Sequence, residues 1–135
     1  MSLLALLIYA GWTIALLLGI AALRVSISLT GQRAANGFAP AGDDVSPFSG
    51  RLCRAHANCY ENLPVVAALI LVAVCTDNGD VTDPAALVLV GARVGQSLVH
   101  LRSTSNRAVS VRFALFAVQL GIAGYWVLAL GLRLL

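Results

Sequence analysis

The sequence predicts an all-α integral membrane protein, a bundle of four transmembrane helices forming one domain over residues 1–135. Three observations carry that prediction. Of the 135 residues 59% are hydrophobic and only 11% charged, against about 45–50% and roughly 25% in ordinary soluble domains, and the mean hydropathy is +0.87. Apolar runs of about 20 residues recur, the length that crosses a hydrocarbon core. Turn and helix-cap signals divide the chain into four such runs. This composition excludes a soluble globular enzyme, and it excludes a disordered chain, which needs low hydrophobicity and high charge.

The first span covers residues 3–23, from Leu3 to Leu23 without one charged side chain. It is expected to be a span and not a cleaved leader, because no basic residue precedes it and it exceeds the usual 7–15 residue apolar core of a leader. From Arg24 to Gly50 the composition turns to Gly, Ser, Asp and Pro, which predicts an extended loop. Ser46-Pro47 is a cap followed by proline at the first helical position and opens the second span, 47–75. Pro64 inside it removes one backbone hydrogen bond and kinks the rod. Asp77-Asn-Gly-Asp80 predicts a tight turn. Asp83-Pro84 repeats the cap-then-proline signal and is expected to open the third span, 84–101. After the polar turn Ser103–Asn106 the fourth span runs over 107–132.

All nine basic residues are Arg, set against six acidic ones. Arg24, Arg33, Arg51 and Arg54 flank the first connection and Arg102, Arg107 and Arg112 the third, whereas the second carries three Asp. By the positive-inside rule connections one and three face the cytoplasm and both termini lie on the other side. A net charge of +3 without a basic run gives no case for nucleic acid. Cys53, Cys59 and Cys75 lack metal-ligand or disulfide-framework spacing and are expected to be small apolar membrane residues, so no metal is expected.

The informative segment is Arg51-Leu-Cys-Arg54-Ala-His-Ala-Asn58-Cys-Tyr-Glu61-Asn-Leu-Pro64. Arg54, Asn58 and Glu61 at i, i+4 and i+7 share one helical face, with Arg51 at its edge. Arg93, Gln96, Ser97 and His100 form a matching stripe on the third helix. An unpaired charge at membrane depth costs at least about 2.5–3.5 kcal/mol, so these groups must meet one another, a wet cavity or a polar ligand. Two readings follow. In one, Arg54 and Arg93 pair with Glu61 in a closed network that fixes helix register. In the other, Arg51, Arg54, Arg93 and Arg107 outnumber Glu61 and hold an anionic ligand, Glu61 taking a ligand ammonium and the Arg groups its carboxylates.

The pattern Arg54-Ala55-x-x-Asn58-x-x-Glu61-x-x-Pro64, with Arg93 on the next span and Arg107 opening the last, resembles the MAPEG family, membrane-associated proteins in eicosanoid and glutathione metabolism. The likeness spans the chain in length and motif placement and is strongest in the second helix. It points to the branch of microsomal glutathione transferases and leukotriene-C synthase-like proteins. The resemblance implies a homotrimer that binds glutathione as co-substrate between subunits. Arg54, Asn58, Glu61 and Arg93 would hold it, with Arg51, Gln96 and His100 beside them, and Arg107 would stabilise its thiolate. Gln96 and His100 depart from the pattern, standing where synthase-like members carry tyrosines. The resemblance leaves open whether Arg24 or Arg33 supplies a further Arg.

Two functions are therefore expected. One is a glutathione-dependent membrane transferase or peroxidase acting on hydrophobic small molecules, either electrophiles or lipid hydroperoxides. The other is a non-catalytic membrane module holding an anionic lipid or headgroup in the same Arg-rich pocket. A transporter or channel gets no support from a chain without inverted repeat or acidic ring. His56 is expected at an interface, Gln119 in an interhelical hydrogen bond, and Tyr9, Trp12, Tyr125 and Trp126 as interface anchors or packing. A chain without Lys but rich in Ala, Gly and Arg also fits a GC-rich bacterial genome, hence the inner membrane.

Overall fold

The computed structural model describes all 135 residues as four helices in chain order: α1 Ser2–Leu29, α2 Pro47–Cys75, α3 Gly79–Arg102 and α4 Asn106–Leu134. Each is long and apolar enough to cross a membrane. Helices α1, α2 and α3 pack against one another, while α4 lies mainly on α3 and to a lesser extent on α2. Only Ala108, Gln119, Trp126 and Leu130 of α4 are buried, which leaves most of that helix facing outward.

The capping signal works as expected at α2, and within the polar turn before α4 Ser105 proves to be a cap of the same kind. Ser46 Oγ accepts a hydrogen bond from Ser49 N at 3.0 Å with Pro47 in the first turn, and Ser105 Oγ accepts from Ala108 N at 3.3 Å. Pro64 lies within α2, which continues through it. At α3 the expectation is corrected. The helix starts at Gly79, five residues before Pro84, and Asn78 occupies the N-cap position. Asp83 caps the neighbouring helix instead. Its Oδ1 accepts from Ser2 N at 2.7 Å and Ser2 Oγ at 2.6 Å, placing a carboxylate at the positive end of α1. Pro84 is carried inside α3, where it removes the backbone bond that an amide there would make to Asp80 O, as Pro64 removes one in α2.

α1 runs past Leu23 to Leu29 because Arg24, which ends the uncharged run, finds polar company: its Nη2 donates to Ala39 O at 2.9 Å. The loop between α1 and α2 is correspondingly not extended but folded onto the bundle. Phe38 lies 5.5 Å from both the Arg24 and the Arg33 guanidinium. Asp44 pairs with Arg33 and accepts from Ala39 N at 3.1 Å. The Ala39 amide first, and then Arg33, hold the Asp44 carboxyl below the usual carboxylate range. Gly42, at φ +70°, seats the loop on α2, where a Cβ would come within 2.6 Å of Cys53 Sγ and 2.8 Å of Ser49 Oγ. Gly50 lies against Asp43 of the loop, where a Cβ would make only an ordinary contact, 3.4 Å from Asp43 Cα.

The opposite end of the bundle gathers the acidic turn and both termini. Arg133 binds Asp80 through two contacts of 2.7 Å and reaches Asn78 Oδ1 at 3.1 Å, so its charge is answered there. Tyr9 and Trp126 are fully buried packing residues, whereas Tyr125 faces outward.

Candidate functional site

The two polar stripes converge at the end of the bundle formed by the first and third connections. Arg54, Asn58 and Glu61 share a pocket of about 330 Å³ with Pro40, Ala41 and Cys53. Arg51, Arg54 and His100 line a second of about 430 Å³ together with Asp43 and Thr104. Asn58, Gln96, His100 and Arg112 line a third of about 240 Å³ whose other wall is Val109, Phe113 and Phe116. Arg54 joins the first two pockets, Asn58 the first and third, and His100 the second and third. The three adjoin one another at these shared residues and together make up a polar recess between α2, α3, α4 and the first loop.

The closed Arg–Glu61 network is not formed. The chain's ion pairs are Met1 ammonium with Asp83, Arg33 with Asp44 and Arg133 with Asp80, all away from this recess. Arg51 Nε instead donates to Leu101 O at 2.9 Å, tying α2 to the end of α3, with Phe48 5.9 Å from its guanidinium. Arg54 and Glu61 are exposed to the recess without a partner in the chain. Arg112 Nη1 meets His100 Nδ1 at 2.6 Å. Because an Arg N–H can only donate, Nδ1 must be the acceptor, which places the ring proton on Nε2.

Arg93 lies beneath the recess and not on its wall. It is 2% exposed, its Nη1 donates to Gln96 Oε1 at 3.0 Å, and its guanidinium sits 5.8 Å from the Tyr9 ring. Gln96 Oε1 also accepts from Gln119 Nε2 at 3.1 Å, the interhelical bond expected of Gln119. Arg93 Nε and Gln119 Oε1 have no partner, so this buried layer is incompletely satisfied. Tyr9 donates to Cys59 O at 3.2 Å, and Cys59 Sγ lies 3.5 Å from Ser97 Oγ, which completes the polar floor.

Among the sequence-derived residues, the fold therefore brings together Arg51, Arg54, Asn58, Glu61, Gln96 and His100 and sets Arg93 below them. Arg107 stands apart: exposed in the first turn of α4, it forms no ion pair and lines none of the three pockets. Neither Arg24 nor Arg33 enters, since both hold Phe38 and the loop. Sequence reasoning missed Arg112 and Asp43. The signal for Arg112 was a charge six residues inside an apolar helix, counted only towards orientation. Asp43 gave no signal beyond its place in a loop. Cys53, Cys59 and Cys75 are free thiols; Cys53 lines the first pocket and packs under Gly42. His56 stacks obliquely on Tyr60 at 5.4 Å, away from the recess.

Chemically, several guanidiniums, amide and imidazole donors and two carboxylates can hold a small polyanion or zwitterion, while the phenylalanine wall accepts an apolar group. Comparison with curated proteins and with solved structures gives no significant match. The MAPEG family model matches residues 2–132, spanning all four helices and the recess, and the chain belongs to the MAPEG family.

Proposed function

We propose that the protein is a glutathione-dependent membrane transferase or peroxidase acting on hydrophobic electrophiles or lipid hydroperoxides. The observation that carries this reading is the uncompensated positive charge of the recess, where Arg51, Arg54 and Arg112 stand without an ion-pair partner beside the free carboxylate of Glu61. Unpaired charges at membrane depth are expensive and mark a ligand path. Family membership supports glutathione as that ligand.

In this reading Arg51 and Arg54 take carboxylates of glutathione, while Asn58, Gln96 and His100 donate hydrogen bonds to the peptide. Arg93 positions Gln96 from below. The thiolate is the nucleophile. Arg107, at the positive end of the α4 dipole, stabilises it in a homotrimer whose neighbouring subunit completes the site. The electrophile enters from the lipid along the Phe113 and Phe116 wall. The recess faces the cytoplasm of a bacterial inner membrane and the termini lie on the far side, following the Arg distribution.

Turnover of an activated aryl halide by detergent-purified protein tests the reading. Glutathione-dependent product that falls at least about 100-fold in Arg107→Ala supports thiolate stabilisation by that side chain. Wild-type turnover in that variant removes Arg107 from the mechanism, and no glutathione-dependent product removes the transferase reading.

A further inference from the structure

Gln119 lies in the middle of α4, is 5% exposed and lines none of the cavities of the recess. Its Nε2 donates twice, to Leu115 O on its own helix at 2.9 Å and to Gln96 Oε1 on α3 at 3.1 Å. Arg93 Nη1 donates to the same Gln96 oxygen at 3.0 Å. The polarity of this relay runs one way. A backbone carbonyl only accepts, so Leu115 O holds the nitrogen end of the Gln119 amide in place, and a guanidinium only donates, so Arg93 brings Gln96 a second donor. The two ends of a Gln amide have nearly the same shape, and hydrogen bonding decides between them. Turning the Gln96 amide round would set its NH2 against two other donors in a buried layer, where an unmet polar group is costly. The orientation holds even though it strands Gln119 Oε1 without a partner. Gln96 Nε2, by contrast, makes no bond within the chain and is not among the buried orphan atoms, and its residue lines the cavity of Asn58, His100 and Arg112.

We propose that Gln119 is a positioning residue for ligand binding, holding the Gln96 amide so that only its N–H groups face the recess. Arg112 acts on His100 in the same sense, so two donors of α4 turn two side chains of α3 into donors. A ligand must then present an acceptor to α3, an oxygen or an anionic sulfur, and not an N–H group. The inference rests on the glutathione reading for the identity of that ligand and deepens it, because a carboxylate, a carbonyl or the thiolate of the peptide is what meets α3.

Isotopic labelling of the glutamine side-chain nitrogens in the full-length protein in detergent gives three carboxamide signals, from Gln32, Gln96 and Gln119. Exchange of their protons with water reads the orientation with no ligand present. In wild type the Gln96 protons should exchange at least about tenfold faster than those of Gln119. Gln119→Glu puts an acceptor of the same length in place of the donor, its charge balanced by Arg93. The Gln96 amide should then turn to donate inward, its exchange slowing about tenfold and glutathione affinity falling about tenfold. Gln119→Met removes the donor without adding charge. It should weaken glutathione about threefold alone and less than about twofold when Gln96→Met is already present, because Gln119 acts through Gln96. A merely structural role would give the same loss in both backgrounds. Protected Gln96 protons in wild type, unchanged exchange in Gln119→Glu, or equal losses in the two backgrounds would overturn the assignment and leave glutathione binding in place. Absence of glutathione binding by wild type overturns the glutathione reading instead, and the exchange of Gln96 in wild type and in Gln119→Glu still decides the assignment.

Discussion

Arg112 on α4 donates to His100 Nδ1 on α3 across 2.6 Å, and this pair joins two pockets of the recess. The bond commits the imidazole to the tautomer whose Nε2 carries the proton, making His100 a donor toward a ligand. Arg112→Ala frees the ring to choose either tautomer. Glutathione affinity should fall about tenfold, with a smaller effect on turnover at saturation than Arg107→Ala produces. Steady-state kinetics separate the two, since a loss confined to KM marks binding and a loss confined to kcat marks the transition state.

Arg93 presents the opposite balance of stability and function. It is a buried cation whose partners are Gln96 and the Tyr9 ring, with Nε unsatisfied. Replacing such a group by an apolar one of similar length removes a desolvation cost. Arg93→Met should therefore unfold at a higher temperature in detergent, by the equivalent of about 1–4 kcal/mol, and still bind glutathione more weakly because Gln96 loses its donor. A lower Tm would show that the Arg93 contacts outweigh its burial.

Gly42 is the hinge pin of the first loop. In Gly42→Ala the positive φ and the overlap with Cys53 and Ser49 both oppose the native conformation. The cost should be about 2 kcal/mol or more, read as a lower Tm. Faster amide exchange confined to residues 30–46 would locate the effect in the loop.

The same loop carries a pH dependence. The folded state holds the Asp44 carboxyl below its usual range, first through Ala39 N and then through Arg33. The carboxylate therefore stabilises the loop fully above the ordinary aspartate pKa, and that contribution is lost as pH falls through the depressed folded value. Protection of residues 34–44 from exchange should decline in that acidic window in wild type. Asp44→Asn, measured at each pH beside it, should show reduced protection throughout and no such decline.

Most of the bundle was legible because membrane helices obey length and hydropathy, and the Ser46 cap is local chemistry. The Arg54, Asn58 and Glu61 face was legible for the same reason, as helical periodicity is a property of one segment. Asp83-Pro84 misled because its carboxylate serves Ser2, 81 residues away, a tertiary partner that no local rule weighs. Asp43 and Arg112 were overlooked for a related reason. One becomes part of the recess only when Gly42 docks the loop, and the other only when α4 settles on α3. Arg107 illustrates the converse: its place in the motif says nothing of where one protomer directs it.

Binding of glutathione as its thiolate in the uncompensated Arg recess is read from the thiolate absorbance of purified protein titrated with glutathione. The absorbance should rise saturably at neutral pH, in the millimolar range or below, and the rise should be lost in Arg54→Gln with the fold retained. No saturable signal from wild type, or an undiminished one from Arg54→Gln, would contradict it.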